Sequence, residues 1–147
     1  MKVAIGVYRA PRGGASEFFR MMGSIRLLRR RAATLRRQGF QVISLGEGAD
    51  LAGRWVQLAR EEGADALWLT FRSSGRRFRQ SLLLNPDGLD KLPLYADGIL
   101  GPDLPPTKGQ LEAMRALGIC YLSPQEAQRG LPVNALPAEQ PQPNPAG

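Results

Sequence analysis

Val3-Ala4-Ile5-Gly6-Val7-Tyr8 is a short apolar run that breaks at Arg9-Ala10-Pro11-Arg12-Gly13-Gly14, and the pattern of residues after this break decides the fold. Pro11 and the paired glycines mark a loop. Ser16 then stands where an N-cap belongs, with Glu17 in the first turn, where a negative charge suits the helix dipole. Phe18, Met21, Met22, Ile25, Leu28, Ala32 and Leu35 recur at helical spacing, which predicts a helix to about Gln38 with this stripe facing a core. Gly39 stops it. Gln41-Val42-Ile43-Ser44-Leu45-Gly46 reads as a second strand, residues 51–62 as a second amphipathic helix closed by Gly63, and Ala66-Leu67-Trp68-Leu69-Thr70-Phe71 as a third, buried strand. This βαβαβ alternation implies a parallel sheet joined by right-handed crossovers. The expected fold is an α/β, three-layer Rossmann-like domain with a mainly parallel sheet.

The second half is less regular. Residues 80–84 fit a strand or a short helix equally well, because periodicity cannot decide over so few positions. Asn85-Pro86-Asp87-Gly88 is a turn, residues 95–100 read as another strand, and Gly101-Pro102-Asp103-Leu104-Pro105-Pro106 is a loop. Thr107 is placed to cap a helix over 108–117, ended by Gly118. Ile119-Cys120-Tyr121-Leu122 is a last short strand, and Ser123-Pro124-Gln125-Glu126 opens a final helical turn. Five prolines from Pro132 to Pro145 mark residues 132–147 as an extended or disordered tail. Residues 1–131 then form a single domain, a size that buries an ordinary core.

Several function classes drop out early. There is no histidine, which removes His-based acid–base catalysis and ordinary zinc sites, and a lone cysteine cannot close an internal disulfide. Cys120 lies in an apolar strand with nothing to activate it as a nucleophile. No apolar run approaches the ~20 residues of a membrane span, and the first apolar run is too short and too early for a cleavable signal. A cytoplasmic location is the expectation. No cofactor is implied: the first loop is not Gly-x-Gly-x-x-Gly, and residues 72–79 lack P-loop spacing. Asp87, Asp90, Asp97 and Asp103 are scattered through loops, without a metal-binding pattern.

Charge is the informative quantity. Residues 1–80 hold 16 Lys and Arg against 6 Asp and Glu, a net of +10, whereas residues 81–147 hold 4 against 7, a net of −3. Arginine supplies 17 of the 20 cations, and its rigid fork of donors suits phosphate and carboxylate. On the first helix, Arg26, Arg30 and Arg37 fall within a band about 40° wide beside the apolar stripe, with Arg20 and Arg31 on a second band nearer the outer face. Such a helix can lie along a phosphate backbone; a solvated face with arginine stems covering the core's edge is the plainer reading. After the third strand, Arg72-Ser73-Ser74-Gly75-Arg76-Arg77-Phe78-Arg79 combines two hydroxyls, a glycine and four arginines in a candidate anion cradle, with Phe78 available to stack on a base. Arg9 and Arg12, on the first strand-to-helix loop, form the third candidate, and both loops share one rim if strands one and three are neighbours. Met21, Met22, Trp55 and Trp68 are expected to pack in the core.

Tyr8-Arg9-Ala10-Pro11 resembles the Tyr-x-Ala-Gly-Pro loop of the nucleoside 2-deoxyribosyltransferase-like family, and Phe71-Arg72-Ser73-Ser74-Gly75 with Leu82-Leu83-Leu84-Asn85 resembles that family's Asp-Phe-Arg…Gly…Asn-Leu-Met-Leu stretch. The resemblance implies a Rossmann-type fold and a nucleotide-sized crevice. It does not extend to the activity: Thr70 stands where the family has an aspartate, and Gly53-Arg54-Trp55 has an arginine where its catalytic glutamate is expected. Glycosyl transfer needs a carboxylate there.

The leading expectation is a non-enzymatic regulatory protein that docks on nucleic acid, or on an acidic protein surface of a nucleoprotein machine such as the transcription or replication apparatus. Residues 132–147 are available to reach a partner. A small nucleotide- or nucleoside-acting enzyme is the alternative, with Arg9, Arg72 and Arg76 on phosphate and Glu17 or Glu61 as the acid. A structural or assembly protein using its tail is the third.

Overall fold

The computed structural model describes residues 1–11, 13–73, 75–84, 92–99 and 105–132. The expected turn at Asn85–Gly88, the proline-rich tail beyond Pro132, and the candidates Arg12 and Ser74 lie outside the described residues. The elements alternate as β1 (Lys2–Tyr8), α1 (Glu17–Arg37), β2 (Gln41–Gly48), α2 (Ala52–Glu61), β3 (Ala66–Phe71), α3 (Arg76–Leu84), β4 (Leu94–Asp97), α4 (Lys108–Ala116), β5 (Ile119–Tyr121) and α5 (Pro124–Arg129). The strands form one sheet in the order β2-β1-β3-β4-β5, and every pairing is parallel. This is a doubly wound α/β fold of the 2-1-3-4-5 type, in which the chain reverses direction across the sheet between β1 and β3.

Strand alternation sorts the core into two. Ala4, Leu67, Leu69, Leu94 and Ala96 point to one face, where α2 brings Trp55, Val56 and Ala59, α3 brings Phe78 and α4 brings Met114. Val3, Ile5, Trp68 and Tyr95 point to the other, under Ala32 and Leu35 of α1 and Ala127 of α5. Trp55 and Trp68 are both buried, as expected. Thr107 and Ser123 each close a capping box, with Gln110 and Glu126 as reciprocal partners.

Four sequence expectations change. The ambiguous stretch 80–84 is the end of α3, which begins at Arg76, because Phe78 buries against Tyr8 and Phe71 and so organises a helical turn. Ser16 occupies the N-cap position of α1 but makes no side-chain cap. The apolar stripe of α1 is only partly covered: Ala32 and Leu35 are buried, while Phe18 and Met21 are exposed, as is Phe19 beside them. A 21-residue helix is about 31 Å long, whereas the 8-residue strand β2 spans about 26 Å, so α1 is about one turn longer than the strand, and its exposed apolar residues lie in its first turns. Finally, Ser24 is buried and Arg31 reaches inward rather than outward, the two bonding Arg72 and Asp97.

Candidate anion-binding site at the carboxyl edge of the sheet

All strands end at the same edge, so the residues after β1, β2, β3 and β4 gather there. The crevice expected at the β1/β3 reversal is stitched closed. Arg72 N donates to Tyr8 O at 2.9 Å, extending the ladder, and Ala10 N donates to Ser73 Oγ at 3.1 Å. The two loops therefore do share one rim, with Tyr8 and Ala10 bonded to Arg72 and Ser73.

Beneath that rim lies a charge network that the linear sequence does not show. The register between β1 and β2 slips by one residue, from Ile5↔Ser44 to Val7↔Glu47, at Gly46, whose φ of +78 suits glycine. Because strand side chains alternate with period two, this slip sets Glu47 opposite Val7, on the α1 face. There Glu47 takes a two-pronged bond from Arg9, Nε at 2.8 Å and Nη2 at 2.7 Å, while Arg9 Nη1 pairs with Glu17. The Arg9 hydrogen bonds hold the Glu47 carboxyl below its usual range against the opposing effect of burial, with help from Ser24 and the charge of Arg72. Arg9 is itself driven further above its ordinary value by Glu47 and Glu17. Arg9 is buried between Glu47 and Glu17, so this candidate does not face an anion from outside.

Arg72 reaches across to α1, where Nη1 donates to Arg20 O at 2.6 Å and to Ser24 Oγ at 2.9 Å. Gly23 allows this: a Cβ there would come within 2.9 Å of Arg72 Nη1. The guanidinium so placed joins Arg26, Arg29 and Arg30 of α1 around an open recess of about 600 Å³, floored by Gly23 and Leu27. Among the described residues no carboxylate lines it.

The expected cradle of residues 72–79 is divided by the sheet. Arg72 folds toward α1, whereas Arg76, Arg77 and Arg79 leave with α3 on the opposite face. Arg76 and Arg77 are exposed there, and Arg79 Nη1 donates to Ile99 O at 3.1 Å. Phe78 is completely buried and has no face free for a base. Arg37, near the far end of α1, donates to Thr34 Oγ1 and stands apart from the recess. Of the anion-binding candidates, the fold brings together Arg26, Arg30 and Arg72, and it adds Arg29.

A second polar cluster sits at the end of β4. Asp97 Oδ1 accepts from Trp68 Nε1 at 2.8 Å and Thr70 Oγ1 at 2.7 Å; Oδ2 accepts from Arg31 Nη2 at 3.2 Å. Arg31 also lies over the Trp68 ring, 5.0 Å from its centroid, and donates to Ala127 O, so it straps α1 to the sheet and to α5. The reading of Arg31 as an outward-facing cation is thereby corrected. Position 70 does have a carboxylate beside it, supplied by the neighbouring strand. Asp97, expected among the loop aspartates, instead ends β4; a lone acid beside Leu94-Tyr95-Ala96 was the signal that could have found it, whereas Glu47, Ser24 and Arg31 carried none. Arg54 lies exposed on α2, bonded to Gln57, on the other side of the sheet.

Burial pushes the half-buried Cys120 thiol up, away from nucleophilic character. Among the described residues no group of acidic or cysteine side chains could hold a metal ion, and no helix is long and apolar enough to cross a membrane. No family model matches the chain, and no curated protein matches it.

Proposed function

We propose that this protein is a non-enzymatic binding protein that docks on nucleic acid through the arginine recess of α1. The observation that carries this reading is the convergence of Arg26, Arg29, Arg30 and Arg72 on one open depression without a carboxylate in its lining. Arg72 is held by two bonds to α1, which reduces the entropy lost when it meets a phosphate. The nearby carboxylates Glu17 and Glu47 share the single positive charge of Arg9, and the charge of Arg72 also reaches Glu47, which weakens their repulsion of an approaching polyanion. The enzymatic alternative finds less support. Glu17 is committed to Arg9, and Glu61 lies exposed at the end of α2, away from the recess.

Filter binding of random duplex and single-stranded DNA across a salt series tests the reading. Each phosphate neutralised contributes about 0.9 to the slope of log K against log salt on duplex, so Arg26→Ala, Arg29→Ala and Arg30→Ala together should flatten the slope by about 2–3. No binding at low salt, or a slope untouched by the triple change, rejects the proposal. An acidic protein surface is the second reading, favoured by the exposure of Phe18 and Phe19 at the start of the same helix. Under it, Phe19→Ser abolishes capture of the partner while leaving nucleic-acid binding absent throughout.

A further inference from the structure

Leu27 and Arg30 belong to two cavities at once. On their other side, between α1, the ends of β4 and β5, and α5, lies a cavity of about 610 Å³. Its position at the carboxyl end of the strands is where open α/β sheets hold small ligands, and its size falls within the ordinary range for such sites. It is less open to solvent than the arginine recess and is chemically unlike it.

The polar groups on its wall come from four different elements and converge. Among the described residues Asp97 Oδ1 accepts two hydrogen bonds and Oδ2 accepts one, from Arg31, which leaves Oδ2 acceptor capacity for a group in the cavity that Asp97 lines. Tyr121 stands close enough to feel that carboxylate: its hydroxyl is pushed up first by burial and then by the charge of Asp97. Thr34, Ser123, Gln125 and Gln128 complete the polar wall. Each of these uncharged side chains can both donate and accept, which is the complement of a ligand bearing several hydroxyls. Leu27 and Pro106 supply short apolar patches suited to the C–H faces of such a ligand. Arg30, at the boundary, brings positive charge to one end, with Arg26, Arg29 and Arg72 beyond it.

We infer that this cavity binds a phosphorylated polyhydroxyl small molecule, a sugar phosphate in chemical class, with its hydroxyls on Asp97, Tyr121 and Gln128 and its phosphate at Arg30. The residues that read the hydroxyls do not line the arginine recess, and the two sites share Leu27 and Arg30, so the hydroxyl-reading variants test this inference apart from nucleic-acid docking.

Calorimetric titration of the full chain with glucose 6-phosphate, ribose 5-phosphate, the two unphosphorylated sugars and inorganic phosphate tests it. At least one sugar phosphate should bind about tenfold or more tightly than both its parent sugar and inorganic phosphate. Tyr121→Phe and Gln128→Ala, each removing one hydrogen-bonding group, should weaken it by about 5–10-fold. Arg30→Ala should bring the sugar phosphate down to the affinity of the free sugar. Asp97→Asn should abolish binding; because Asp97 also holds Trp68, Thr70 and Arg31, a thermal melt accompanies it, and Tyr121→Phe carries the test if that variant fails to fold. Equal affinity for inorganic phosphate and the sugar phosphates would show only the arginine recess taking an anion, and would overturn the inference. So would the absence of binding by every sugar phosphate, or full retention of it in both Tyr121→Phe and Gln128→Ala.

Discussion

The two faces of the sheet solve the same burial problem with different chemistry. Under α2, α3 and α4 the packing is apolar, with Tyr8, Phe71 and Phe78 in mutual ring contact at 5.0 to 5.9 Å. Under α1 and α5 the apolar layer gives way, toward the carboxyl edge, to Arg9–Glu47, Ser24–Arg72 and Arg31–Asp97. The same strands serve both faces, so the difference arises from alternation alone: Phe71 points one way, Thr70 and Arg72 the other. A face that carries charge inside can present organised charge outside, because its arginines have fixed partners to lean on. The apolar face can only be stable.

Three changes would break or sharpen that contrast. The largest effect belongs to the apolar face. Phe78→Ala removes a fully buried ring and should cost about 3–5 kcal/mol, read as a lowered denaturation midpoint, while the folded fraction keeps its affinity for anions. Comparable loss of anion binding in the folded fraction would mean that the two faces are not independent.

On the charged face, Glu47→Gln leaves Arg9 buried with Glu17 as its remaining acid and should cost about 2–3 kcal/mol at neutral pH, less than the loss of a fully buried partner because Glu47 is partly exposed. The pH dependence has a definite sign. The folded-state pKa of Glu47 lies below its ordinary value of 4.5, so its contribution is fully present above that value and is lost as pH falls through the folded pKa. Denaturant titrations from pH 6 down to 2 should therefore show the wild type losing stability on the acid side, with a shallower loss in Glu47→Gln. Identical acid profiles would place the titrating group elsewhere.

The smallest effect concerns the one-residue slip. Gly46→Ala meets no atom within 4 Å but puts a side chain at a φ of +78, which should cost about 1 kcal/mol. A much larger loss, approaching that of Glu47→Gln, would show that the glycine also holds the register that turns Glu47 toward Arg9.

The fold was largely readable from the chain. Periods of 3.6 and 2 are local properties, so α1, α2, β1 and β3 follow from residues 1–71 by themselves, and Thr107 announces the start of α4 through its own cap. The stretch from Gln80 to Leu84 was not readable, because the start of its helix is held by Phe78 meeting Phe71 at the end of β3 and Tyr8 from the distant β1. The site was legible only as a composition. Arg26, Arg30 and Arg72 stand out in the chain, but so do Arg76, Arg77 and Arg79, which the sheet sends to the opposite face.

The sequence by itself determined an arginine-rich parallel α/β domain, because residue type and spacing suffice to set local structure and net charge. Only the tertiary structure decided which arginines act together. Arg9 and Arg31 are spent on Glu47 and Asp97, 38 and 66 residues away, and Arg72 is turned onto α1, 48 residues from Ser24. Pairing over such separations depends on the roll of a helix, the register of a strand and the side of a sheet. None of these is a property of neighbouring residues.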